Sequence, residues 1–223
     1  MNNLINETFT KHLGLMKQHF KLLNEDEDVE APDNLKYKIA GAGITITGVA
    51  DNKMTGKLVI PEKIDGKSVT HIGPYAIAYC SKLTSVTIPD SVMYIGLGAF
   101  TDCSGLTSVT IPSSIKSLSE WMFLGCTGLK SVKIPDSVTS IGTGTFEQCT
   151  GLKSVIIPDS VTVIGERAFS KCTSLTSVII PDSVTSIGER AFLWCSALTS
   201  ITIPVRTVIK VNALPTKTKI IRK

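Results

Sequence analysis

Apolar and polar positions along most of the chain follow a pattern that repeats every 23 residues. In each unit a cysteine is followed three positions later by a leucine, then by alternating apolar and hydroxyl residues, and then by a proline. The repeating cysteines and prolines are Cys80, Cys103, Cys126, Cys149, Cys172 and Cys195, and Pro89, Pro112, Pro135, Pro158, Pro181 and Pro204. A period of this size predicts a solenoid, in which stacked units bury one another's apolar faces.

The order of residues inside one unit predicts its path. Residues 152–157 (LKSVII) alternate as a strand does, and the strand ends at Pro158 because proline lacks the N–H that a ladder needs. Residues 161–164 predict a second extended piece, and residues 166–171 predict a short helical turn that packs Phe169 inward. The predicted core columns are Val86, Val109, Val132, Val155, Val178 and Ile201, and Phe100, Phe123, Phe146, Phe169 and Phe192.

The first 30 residues follow a different pattern. Residues 3–24 predict an amphipathic helix, because their apolar residues recur at spacings of three and four. These residues are Ile5, Phe9, Leu13, Met16, Phe20 and Leu23. An acidic run, Glu25 to Glu30, ends this segment. Two interpretations stay open: the helix covers the open first edge of the solenoid, or it forms a coiled-coil dimer seam.

These changes of pattern divide the chain into four parts. We predict an N-terminal helix and acidic linker over residues 1–30, and capping strands with an irregular first repeat over residues 31–68. Regular 23-residue repeats then fill residues 69–204. Residues 205–223 carry six basic and no acidic residues, and the apolar residues interleaved with them predict a basic C-terminal cap or tail.

Charge and hydropathy narrow the classes of function. A net charge of +4 is too mild to predict nucleic-acid binding, which needs a concentrated basic face. No stretch approaches the ~20 apolar residues of a membrane span. Residues 1–20 lack the apolar core of a signal peptide, which predicts an unexported chain unless a leader has been removed. The compartment is therefore left open.

The repeated cysteines and serines predict structure rather than chemistry. One cysteine per repeat, always beside apolar positions, predicts free buried thiols, since parallel stacked thiols suit disulfide geometry poorly. Zinc sites favour ligand pairs two to four residues apart, which this spacing does not provide. The serine column has no histidine in a repeating relation to it, so no base is positioned to activate it. We expect no catalytic residues, no metal and no cofactor.

The repeat also resembles a known family. Residues 129–134 (LKSVKI) fit the strand consensus of leucine-rich repeats, and residues 180–204 (IPDSVTSIGERAFLWCSALTSITIP) resemble the BspA-like, or Treponema-type, repeats. The resemblance covers roughly residues 36–204. It implies an α/β repeat solenoid, a right-handed coil with a parallel β-sheet on one face and short helical turns on the other. It also implies use in adhesion and protein binding, commonly on microbial cell surfaces.

Binding residues are expected where the repeats differ from one another at outward positions. On the strand side, Lys130, Lys133 and Lys153 are predicted to neighbour Ile156 and Ile179. Solvent-facing apolar side chains in contact with each other suggest a binding surface, so these five residues form the candidate partner-binding patch. The alternative is ordinary surface in a tolerant repeat.

Two tryptophans on the opposite side are further candidates for partner binding, ranked after the five residues of the patch. Trp121 and Trp194 lie outside the predicted core columns, and exposed tryptophans are enriched at protein interfaces. Packing across a neighbouring turn explains them equally well.

We therefore hypothesise a non-enzymatic module that mediates protein–protein interaction or adhesion through its strand side. Its partner would be another protein, such as a host or cell-surface component. The alternative is a structural protein that self-assembles into a homo-oligomer through residues 3–24 or through the solenoid ends.

Overall fold

The structure, a computed structural model, describes residues 29–31 and 34–223. The helix predicted over residues 3–24, with its capping or dimerising role, lies outside the described residues. Within them the strands are β1 Val29–Ala31, β2 Leu35–Ala40, β3 Gly43–Val49, β4 Thr55–Val59, β5 Lys63–Ile64, β6 Lys67–Ile72, β7 Lys82–Thr87, β8 Tyr94–Ile95, β9 Ser108–Thr110, β10 Ser117–Leu118, β11 Ser131–Lys133, β12 Ser140–Ile141, β13 Ser154–Ile156, β14 Val163–Ile164, β15 Ser186–Ile187, β16 Ser200–Ile203, β17 Val208–Ile209 and β18 Lys219–Arg222.

One parallel sheet, here called the strand face, runs along the stack. β4, β7, β9, β11 and β13 are neighbours in that order, and each pairs with the equivalent residues of the next coil. Bridges Ser154↔Ser177 and Ile179↔Thr202 continue this ladder, and β16 pairs with β18 beyond them. Because the period is 23 residues, identical positions of successive coils lie side by side.

The second extended piece of each coil builds another parallel ladder. β3, β6 and β8 pair in order, and further along the stack β10, β12, β14, β15 and β17 do the same. At its start, β1, β2 and β3 are antiparallel, so a hairpin opens the solenoid. The solenoid of parallel strands predicted from the repeat is thus present.

The predicted helical turns are wrong. In residues 166–171, the N–H groups of Arg167, Phe169 and Lys171 donate to carbonyls of the next coil at 2.8–2.9 Å, whereas a helix would keep these bonds internal. The residues between them donate instead to carbonyls three positions earlier. Arg167 and Lys171 have φ of +52° and +60°, and such left-handed residues interrupt a right-handed helix. The turn side of each coil is therefore a pair of hydrogen-bonded turns.

The core consists of the columns that the sequence predicts. The valine and phenylalanine columns are all buried. The five phenylalanine rings stack in sequence, with centroids 5.2–5.5 Å apart and planes within 8–13° of parallel. Offset stacking of this kind adds about 0.5–1.5 kcal/mol per pair beyond area burial. One continuous apolar core therefore runs along the solenoid.

The cysteines are free and buried, which confirms that prediction. From Cys103 to Cys195, each Sγ lies 3.0–3.2 Å from a backbone carbonyl oxygen 26 residues earlier, to which the thiol donates. Burial raises the pKa of the Cys126 and Cys149 thiols above the ordinary value. Because the thiolate is the reactive form, these groups are structural donors rather than nucleophiles.

Residues 205–223 continue both ladders. β17 pairs in parallel with β15, and β18 pairs in parallel with β16. Arg222 donates to the carbonyl of Pro204 at 2.8 Å, and Lys223 pairs with Asp182 at 3.0 Å. The basic residues of this last coil thus hold it partly to the coil before.

Candidate functional site

Each coil presents one outward side chain two positions before its proline, because alternate side chains of a strand point to opposite faces. The register aligns these side chains in one column: Val59, Thr87, Thr110, Lys133, Ile156, Ile179, Thr202 and Ile221. Three of the eight members are threonines, which suit a solvated sheet. Three of the candidate residues, Lys133, Ile156 and Ile179, are consecutive members of the column.

Ile156 is the most exposed large apolar side chain of the described residues, at 77%, and Ile179 is 70% exposed. Their neighbours in sequence, Val155 and Val178, are buried in the core. The bridge Ser154↔Ser177 sets the register that places Ile179 opposite Ile156, about one strand spacing of ~4.8 Å away. The two side chains therefore form one continuous apolar surface.

The three candidate lysines lie on the coil of Ile156 and on the coil before it. Lys133 is the direct ladder partner of Ile156, and the Lys153 N–H donates to the Lys130 carbonyl at 3.1 Å, which fixes those two in adjacent coils. All three lysines are exposed. Among the described residues, none of them forms a salt bridge. The structure thus pairs Lys133 with Ile156 and places Lys130 beside Lys153, three positions earlier along the same two coils. Together with Ile179 we name these residues the lysine–isoleucine patch: Lys130, Lys133, Lys153, Ile156 and Ile179.

Like charges one coil apart repel each other. In water the repulsion between two ammonium groups at such distances is about 1 kcal/mol or less, and salt reduces it further. An anionic group placed over the three lysines would relieve this repulsion.

Sequence reasoning missed two apolar members of this outward column, Val59 and Ile221. Val59 is 58% exposed and lies at the first end, two positions before Pro61 in the irregular repeat. Ile221 is 43% exposed and pairs with Thr202 in the last coil. The position two residues before a proline could have identified Val59. No proline marks the position of Ile221, because the final unit lacks it.

The two tryptophans do not join the patch, because both lie on the turn side. Trp121 is half-buried, and its ring covers Gly144 of the next coil: a Cβ there would lie 2.4 Å from Trp121 Cδ1. Tyr75 covers Gly98 in the same way, at 2.3 Å from Cε1. Trp194, at 61% exposure, is open to solvent. Tyr75, Gly98, Trp121 and Gly144 occupy the same position in four successive coils, so each of these two rings packs in the space that the next glycine leaves open.

One buried carboxylate on the turn side was also missed. Glu147 is only 8% exposed, and burial raises its pKa, while Arg167 and Lys171 act in the opposite direction. Its position in the repeat is occupied elsewhere by residues such as Leu124 and Ser170, so no sequence signal marked it. Within the part of the chain that the structure describes, no three His, Cys, Asp or Glu side chains converge as a metal site would require.

Comparison with solved structures finds bacterial leucine-rich repeat proteins. A leucine-rich repeat protein from Bacteroides ovatus is 32% identical with a TM-score of 0.73, over 82% of this chain and 49% of that one. A leucine rich cell surface protein from Faecalibacterium prausnitzii is 32% identical with a TM-score of 0.62, over 80% and 55%. The leucine-rich repeat protein of Treponema pallidum is 28% identical with a TM-score of 0.50, over 86% of both chains. The chain thus spans about half the length of the first two.

The curated proteins contain no match to this chain. No helix among the described residues has the length and apolarity that crossing a membrane requires. A family model described as the BspA type leucine rich repeat region matches residues 57–172 and 123–220, with six copies. These matches cover more than half of the sequence and coincide with the coils of the solenoid. The chain therefore belongs to the BspA type leucine-rich repeat family.

Proposed function

We propose that this chain is a non-enzymatic binding module whose strand face engages another protein at the lysine–isoleucine patch. The observation that carries the proposal is the adjacency of Ile156 and Ile179, exposed at 77% and 70%, beside three lysines. Elsewhere in this column, hydroxyl residues such as Thr87 and Thr110 serve the same strand positions. The fold itself therefore does not require isoleucine here.

The energetics of the patch support this role. Full burial of one isoleucine side chain stabilises a complex by about 1.5–3 kcal/mol, before the entropy of association is subtracted. Two adjacent isoleucines can therefore anchor a small interface. The lysines contribute mainly by steering an anionic partner and by selecting against cationic ones.

The comparisons support a protein as the partner and the cell surface as the location. Members of this repeat family present long regular surfaces, which suits protein binding. The Faecalibacterium prausnitzii relative is described as a cell surface protein. We propose a cell-surface or secreted setting, with a host or cell-surface protein as partner. Trp194, which is open to solvent, is a second-choice anchor, and Trp121 is a weaker one because its ring already packs on Gly144.

The test compares two matched double variants. Ile156→Asp with Ile179→Asp places charge on the patch, whereas Val59→Asp with Thr87→Asp places the same charges in the same column, on adjacent coils away from it. Each purified chain is immobilised and exposed to surface-protein extracts, and the captured proteins are quantified by mass spectrometry. We expect selective loss of captured proteins with the isoleucine variant alone. Equal capture by both variants, with unchanged circular dichroism, would refute the proposal.

A further inference from the structure

The strand face carries positive charge without negative charge. The outward residues of its strands, within the described part of the chain, are Lys, Thr, Ser, Val and Ile, with no Asp or Glu among them. Besides the patch lysines, the exposed lysines of these strands are Lys57 on β4, Lys82 on β7 and Lys219 on β18. An occupant of this face must therefore supply both acidic groups and apolar side chains.

The chain's own first segment has this chemistry. Five of the six residues from 25 to 30 are acidic, and the 22 residues from 3 to 24 carry a regular set of apolar residues. Acidic groups complement the lysines of the patch, and apolar residues complement Ile156 and Ile179. The segment thus offers both parts of what the strand face lacks.

The acidic residues cannot reach the patch of their own chain. β1 begins at Val29, directly after Asp28, and lies at the outer edge of the second ladder. The successive neighbours across the second ladder are β1, β2, β3, β6, β8, β10 and β12, so six strand spacings separate β1 from β12. β12 belongs to the same coil as Lys133. At ~4.8 Å each, this separation is about 29 Å. The four residues 25–28 span at most about 14 Å when extended.

We infer that residues 3–28 of a second copy of this chain dock on the lysine–isoleucine patch, with the acids at positions 25–28 against Lys130, Lys133 and Lys153. Reciprocal exchange of the two segments gives a closed two-fold dimer, because each copy supplies one segment and one patch. The inference rests on the proposed function, that the patch is a binding surface, and names the partner that it binds.

The test uses the full chain, as an equal mixture of ¹⁴N- and ¹⁵N-labelled protein. A carbodiimide joins a carboxylate and an amine in direct contact by an amide bond, and the carbodiimide takes up the released water as a urea. Mass spectrometry then identifies the joined peptides. We expect cross-links between residues 25–28 and Lys130, Lys133 or Lys153 that combine both labels, and a dimer mass by light scattering. Cross-links within one label only, or a monomer mass at all concentrations, would overturn the inference.

Variants separate the contributions of charge and apolar contact. Ile156→Asp with Ile179→Asp is expected to raise the dimer dissociation constant by about 100-fold, and Val59→Asp with Thr87→Asp to leave it within about threefold. Replacing the three patch lysines by Glu is expected to abolish the dimer. Further replacement of Glu25, Asp26 and Glu27 by Lys is expected to restore it. A folded lysine variant that still dimerises, or no recovery on the second reversal, would contradict the inference.

The outcomes distinguish this inference from the proposed function. A monomer whose capture of extract proteins still depends on Ile156 and Ile179 refutes the inference and leaves the proposed function intact. A dimer with mixed-label cross-links, which competes with capture, supports both. A dimer that is insensitive to the isoleucine variant refutes the inference, since the second copy then binds elsewhere.

Discussion

Replacement of Gln148 tests whether the turn side contains left-handed residues instead of helix. Gln148 has φ of +61°, is half-buried, and occupies the position that Gly125 fills one coil earlier. We compare Gln148→Gly with Gln148→Ala, because both remove the side chain and only alanine keeps the strain of a left-handed Cβ. We expect the glycine variant to be the more stable of the two.

The magnitude follows from two opposing effects. An L-residue in the left-handed region is strained by about 1–2 kcal/mol. Glycine avoids this strain, but it also makes the unfolded chain more flexible, which offsets about 0.4–1 kcal/mol of the gain in stability. The glycine variant should therefore exceed the alanine variant by about 0.5–1 kcal/mol in free energy of unfolding. A helical turn would reverse the sign, since glycine is about 0.8–1.0 kcal/mol worse than alanine inside a helix.

The assay is equilibrium unfolding in guanidinium chloride, followed by circular dichroism, with the two variants and the wild type measured side by side. Equal slopes are required, so that a shift of midpoint reports stability. An alanine variant more stable than the glycine variant would refute the left-handed assignment at this position. It would restore the helical turn that the sequence predicted.

Three further substitutions test packing and burial. Gly144→Ala is expected to destabilise the fold by about 2 kcal/mol or more, because φ is +57° and the new Cβ would lie 2.4 Å from Trp121 Cδ1; a shifted tryptophan emission spectrum should accompany the loss, and an unchanged spectrum and stability would contradict it. Phe146→Ala is expected to lower the free energy of unfolding by about 3–5 kcal/mol, since its ring is fully buried and stacked on both sides; a loss below about 1 kcal/mol would show that the column is not continuous. Burial raises the pKa of Glu147, so its protonation stabilises the folded state below its ordinary pKa of 4.5, and this contribution is lost as pH rises through the folded pKa. Glu147→Gln is therefore expected to raise stability at pH 7 but not below pH 4.5, as measured by unfolding at both pH values, and equal effects at both would contradict the assignment.

Much of the fold follows directly from the period. Stacking at 23 residues places each residue beside its equivalent in the next coil, so the sequence alone predicts the register Lys133↔Ile156 and the stacked phenylalanines. The buried thiols follow as well, because they share the phase of the apolar positions. The candidate patch depends on this same register.

The turn side could not be predicted in the same way. Glycine marks left-handed positions when it is present, as at Gly125 and Gly144, but Arg167 and Lys171 occupy the equivalent positions without strain-relieving glycine. The hydrogen bonds between coils hold these residues in place, and such tertiary bonds leave no local signal. The burial of Glu147 could not be predicted for a related reason, because neighbouring coils, and not its own segment, bury it.

The most direct test of the central claim is site-specific photo-cross-linking from the strand face. A photoreactive amino acid is placed at position 179 in one protein and at position 87, in the same column away from the patch, in another. Both are irradiated in a mixture of surface proteins and additional wild-type chain, and the covalent products are identified by mass spectrometry. We predict a discrete partner joined at position 179 and absent at position 87. The same products from both positions, or no product from position 179, would contradict the claim that the lysine–isoleucine patch is the binding surface.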